Sequence, residues 1–174
     1  MKTKIFFTVF WLVLFCSAAL LAQEEKEIYL EAVSAAKAGD MNSAFMEFRS
    51  LLADYPGSKY TADSLFASGE YYFLTGNYKE AVSAFTRFID EYPDSKPRLF
   101  AVIYLYKIAK KQEHESLLGN LKKEIVDFQQ LILLFRDFKE YKYSSPLQKK
   151  YRAVYYIDQA EFYLNGELFE KILF

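Results

Sequence analysis

The residues from Ile28 to Pro56 return, little changed, from Leu65 to Pro93, displaced by 37 positions. Gly76-Asn77-Tyr78 answers Gly39-Asp40-Met41, Ala81 answers Ala44, Phe85 answers Phe48, and Ile89 answers Leu52. Tyr92-Pro93-Asp94-Ser95-Lys96 answers Tyr55-Pro56-Gly57-Ser58-Lys59. A fixed step of this size means stacked copies of one supersecondary unit, each burying its apolar face against its neighbours.

Each unit reads as two antiparallel helices joined by a tight turn. Leu65, Gly69, Tyr72 and Phe73 fall at helical spacing, and Ala81, Val82, Phe85, Phe88 and Ile89 form a second amphipathic run. Gly39 and Gly76 close the first helices in the left-handed conformation, and Asp40 and Asn77 cap the next ones, Glu80 completing a capping box with Asn77. Small residues at Ala32, Gly69, Ala44 and Ala81 let the two helices approach, Phe48 and Phe85 fill the space beside them, and Pro56 and Pro93 end the second helices. The spacing Leu65-x-x-Ser68-Gly69-x-x-Tyr72, Ala81-x-x-x-Phe85, Pro93 resembles the tetratricopeptide (TPR) repeat, whose period is 34 residues.

A third unit begins at Pro97 and continues through Leu99, Val102, Ile103, Tyr106 and Ala109. After the polar stretch Lys110 to Glu115, Gly119-Asn120 supplies the turn signal, and Leu121, Ile125, Phe128, Ile132, Phe135 and Phe138 predict a long second helix that runs toward Tyr141. Ser145-Pro146 is expected to open a fourth first helix through Tyr151, Val154, Tyr155, Asp158, Phe162 and Tyr163, closed by Asn165-Gly166. Residues 167–174 are then either a short frayed helix or an apolar end that docks onto a partner. The expected fold is all-α: an α-solenoid of about three and a half TPR-like hairpins, over about 24–58, 59–95, 96–143 and 144–174.

Lys2 and Lys4 precede an apolar run from Ile5 to about Phe15, and small residues lead to Gln23-Glu24-Glu25, the layout of a secretory signal peptide. Cleavage after Ala22 makes residues 1–22 the signal and 23–174 the repeat domain; cleavage after Ala19 and an uncleaved anchor are the alternatives. Cys16, the single cysteine, follows the bulky Phe15, which does not suit a lipid-attachment site, so it reads as a small apolar residue of the removed segment. Aromatic residues make up 19% of the chain, which suits stacked helices with Tyr and Phe as spacers and excludes a disordered tail. The formal charge of −1 provides no basic field for nucleic acid.

Ala84-Phe85-Thr86-Arg87-Phe88-Ile89-Asp90-Glu91-Tyr92-Pro93, the run from Phe128 to Phe135, and Tyr156-Ile157-Asp158-Gln159-Ala160-Glu161-Phe162-Tyr163-Leu164 together resemble the BamD family of the outer-membrane β-barrel assembly machinery. The resemblance implies a periplasmic scaffold whose partners are outer-membrane assembly proteins or extended peptides, with indirect membrane contact unless the N-terminal segment is retained. The Tyr-Pro-x-Ser junctions are also similar to envelope adaptors of the CpoB type, which is the alternative. Repeat hairpins bind through the groove lined by their first helices. The candidate groove residues are Lys26, Tyr29, Val33 and Lys37, then Asp63, Phe66, Glu70 and Phe73, then Phe100, Ile103, Lys107 and Lys110. The mixture suits an extended peptide with apolar anchors. No catalytic, cofactor or metal set is expected: His114-Glu115 lacks a second histidine, since position 118 is Leu118, and the carboxylates fall on periodic helix faces.

Overall fold

The computed structural model describes residues 23–134 and 140–174, with only the backbone of 129–134. The expected signal segment 1–22, with Cys16, lies outside the described residues, as do Phe135, Arg136 and Phe138. Helix α1 covers 23–37 and pairs with α2 (Met41–Asp54). Helix α3 (Thr61–Leu74) pairs with α4 (Tyr78–Glu91), and α5 (Arg98–Lys111) with α6 (Glu115–Leu134). These are the three expected hairpins.

The turns follow the repeat. Gly39 and Gly76 have φ of 85° and 77°, a region open to glycine without a Cβ clash. Around each, two bonds close the helix: Gly39 N–H to Ala36 C=O (3.1 Å) with Asp40 N–H to Ala35 C=O (2.9 Å), and Gly76 N–H to Phe73 C=O (3.2 Å) with Asn77 N–H to Tyr72 C=O (2.8 Å). The Asp40 carboxylate caps α2 by accepting from the Ser43 N–H at 3.0 Å. Asn77 does not cap with its side chain, contrary to the expected capping box; its amide donates to Thr75 Oγ1 at 2.9 Å. Helices α2 and α4 stop at Tyr55 and Tyr92, because the residue before a proline is pushed out of the helical region.

The third turn is not at Gly119, which stands inside α6. It is at Glu113, where φ is 56°, and the bonds Glu113 N–H to Lys110 C=O (3.3 Å) and His114 N–H to Ala109 C=O (3.0 Å) repeat the earlier pattern. Positions 39, 76 and 113 keep the 37-residue step, with glutamate where the first two units have glycine.

The fourth hairpin and the all-α class are corrected by the C-terminal part. Residues from Glu140 onward form an antiparallel sheet in the order β1 (Glu140–Ser144), β2 (Lys150–Tyr155), β3 (Gln159–Leu164), β4 (Glu167–Leu173). Tyr141, expected near the end of a long helix, pairs with Ala153 in this sheet. Asn165 and Gly166 have φ of 52° and 90°, both left-handed, and so make the two-residue turn that joins β3 to β4 rather than a helix end. Side chains alternate: Tyr151, Ala153 and Tyr155 on β2, with Ala160 and Phe162 on β3, are buried against the helices.

The sheet lies on the first helices of the second and third hairpins. Phe66 on α3 meets Tyr143 and Tyr151 at ring-centroid distances of 5.6 and 6.0 Å, and Phe100 on α5 meets Tyr151 at 4.8 Å. Phe73 and Tyr104 meet Phe169 of β4 at 5.9 and 5.2 Å. Leu147, in the turn between β1 and β2, packs into the first hairpin with Ala32, Ala36, Ala44 and Phe48. Within the second hairpin a Cβ on Gly69 would stand 2.7 Å from the Phe85 ring, so this close approach needs glycine. Ala81 and Phe85 are fully buried beside it.

Candidate functional site

The face lined by the first helices divides into a covered and an open part. Phe66, Phe100 and Ile103 are buried beneath the sheet, and Glu70 lies there with them. Phe73 packs against Phe169, while Lys107 donates to the Phe169 carbonyl and lies 3.7 Å from the Glu170 carboxylate. The chain's own C-terminal strands therefore sit where the repeat pattern directs a ligand. Tyr29, Val33, Lys37 and Asp63 stay outside that cover. With Leu30, the β1 residues Tyr143 and Ser144, and Ser145, Pro146 and Gln148 of the β1–β2 turn, they line a cavity of about 410 Å³ at the α1 end. The Tyr29 hydroxyl donates to Asp63 at 2.9 Å, and its ring stacks on Tyr60 at 4.2 Å, which fixes one wall.

Beneath the sheet is a polar cluster that periodicity alone did not single out. The Tyr151 hydroxyl donates to Glu70, so its oxygen is left to accept from Tyr104, 2.6 Å away. Burial pushes the Glu70 carboxyl up to about 7, with Lys149, Tyr151 and Ser145 pulling it the other way. Burial also lowers Lys149, opposed by Glu70, and raises Tyr104 and Tyr151 well above the usual phenol range. Glu70 Oε2 and Lys149 Nζ have no hydrogen-bond partner among the described residues. An arrangement of this kind ties the sheet to α3 and α5 in one register, because a slip would bury the carboxylate without its phenol. Its members come from four separate segments. Only Glu70 sits at a helical-groove position, so the sequence signal for the other members was absent.

His114 takes the N-cap position of α6, its carbonyl accepting from the Leu118 N–H at 3.0 Å. Among the described residues, no three or more His, Cys, Asp or Glu side chains gather as a metal site would require. No described helix is long and apolar enough to cross a membrane.

A family model described as outer membrane lipoprotein, YfiO, matches residues 21–164. The chain belongs to this family. The YfiO match takes in the six helices of the described residues and β1 to β3, and it begins after Cys16. As expected from the three resembling stretches, the YfiO assignment is BamD-like and TPR-type, and it connects the chain to the outer envelope. No curated protein matches the chain.

Proposed function

We propose that the chain is a periplasmic protein-binding scaffold of BamD-like type, acting in outer-membrane protein assembly through protein–protein contacts and carrying out no chemistry of its own. The observation that carries this reading is the YfiO match over three stacked hairpins. The open cavity at the α1 end supports it further, because it combines apolar Val33 and Leu30 with charged Lys37 and Asp63. A partner segment in extended form fits such a wall, its apolar side chains against Val33 and Tyr29 and its polar atoms toward Lys37. Export through residues 1–22 belongs to the same proposal.

A photo-crosslinking side chain at Val33 in the full chain, in intact envelopes, tests it, with Met46 on the outer side of α2 as control. The reading expects adducts with β-barrel assembly proteins from position 33 and none from position 46. Adducts confined to inner-membrane or cell-wall proteins would instead favour an adaptor of CpoB type.

A further inference from the structure

The end of α5 places Lys107, Lys110 and Lys111 at i, i+3 and i+4, on one side of the helix. With Phe73, Tyr78, Ile108 and Glu170 they line a second cavity, of about 320 Å³, between the ends of α3 and α5 and strand β4. Its charges do not balance. Glu170, only 9% exposed at its side chain, holds Lys110 at 2.7 Å and Lys107 at 3.7 Å. Lys111 has no carboxylate among the described residues; it donates to the Tyr78 hydroxyl at 2.8 Å and lies 4.5 Å over that ring. The C-terminal dipole of α5 offsets about half a charge, which leaves a surplus of about one and a half positive charges. The apolar walls Phe73 and Ile108 reduce solvent screening, so the surplus acts more strongly than it would on an open helix. Glu113, in the turn beyond α5, and Glu115, the first residue of α6, do not line the cavity.

We propose that this cavity docks an acidic segment of a partner protein, a carboxylate side chain entering beside Lys110 and Lys111. The proposal rests on the protein-binding reading above and gives its partner a chemistry. Charge complementarity selects the occupant: Glu170 already shows that these lysines accept a carboxylate, and the apolar Phe73 and Ile108 beside them suit the neighbouring side chains that a peptide brings with its carboxylate.

Fluorescence anisotropy with the full chain tests this, using a labelled Leu-Glu-Glu-Leu-Glu peptide, its lysine counterpart, and phosphatidylglycerol vesicles. The acidic peptide binds, more weakly as salt rises, and Lys111→Glu lowers its affinity about tenfold while Lys111→Gln, which breaks no ion pair, lowers it less. Circular dichroism of both variants stays unchanged. Equal binding of the two peptides, undiminished binding by Lys111→Glu, or vesicle binding that depends on Lys111 would overturn the proposal. Crosslinking from Val33 separates the two failures. If it persists while the peptide result fails, only the acidic-partner inference is lost; if it fails as well, the scaffold reading goes with it.

Discussion

Glu113 is a glutamate doing what glycine does in the two preceding units, at a φ of 56°. A left-handed conformation costs a residue with a Cβ about 1 kcal/mol, so Glu113→Gly stabilises the fold by about that amount. Thermal unfolding reads the change as a rise of a few degrees. The 37-residue step pointed to this position, but the missing glycine moved the expected turn to Gly119. Glu70 carries the second prediction at this scale. Its folded-state pKa, about 7, lies above its ordinary value of 4.5, so the folded state holds the proton more tightly. The resulting stabilisation is complete below about pH 4.5 and is lost as pH rises through about 7. Urea unfolding between about pH 5 and pH 8 thus shows a fall in stability on the order of 2 kcal/mol, part of it offset by the buried ammonium of Lys149. Glu70→Gln largely removes the fall. A wild-type midpoint that holds steady across this range would show that Glu70 stays ionised.

Helical hairpins and sheet strands differ in how openly the chain announces them. The hairpins were legible because glycine, small residue, phenylalanine and proline recur at one step, and the contact that joins α3 to α4 lies at those same residues. Gly69→Ala would drive its Cβ into the Phe85 ring, 2.7 Å away, and costs about 1–3 kcal/mol; Ala81→Leu overpacks the same hairpin by a similar amount. Chemical denaturation of either variant checks this, and a midpoint equal to wild type would mean that α3 and α4 are less closely packed. The sheet was misread for a physical reason. Tyr151, Tyr155 and Phe162 satisfy a three-and-four spacing as well as part of an alternating one, and the aromatic run was assigned to a fourth helix. Asn165-Gly166 was the discriminating signal, since two consecutive left-handed residues close a hairpin and not a helix pair. Gly166→Ala, which keeps a Cβ in that turn, weakens the β3–β4 hairpin by about 1 kcal/mol, visible as faster amide exchange in β4.

For the whole molecule, the consequence is that the face of the helical hairpins is occupied by the chain's own strands. One apolar core runs from Phe66 and Phe85 through Phe100 and Tyr104 into Tyr151, Phe162 and Ile172, so helices and strands share the same buried surface. Which residues lie on the first-helix face was readable from periodicity. That Phe66, Glu70, Phe100 and Ile103 are covered was not, because the cover comes from strands about 40 to 100 positions later and local patterns carry no record of such pairing. Hydrogen exchange followed by mass spectrometry on the full chain is the most direct test of this arrangement. Amides of β2 and β3 should be protected as strongly as those of α3 and α5 and exchange together with them, whereas β2 and β3 exchanging within seconds while α3 and α5 remain protected would mean that the sheet does not occupy the groove.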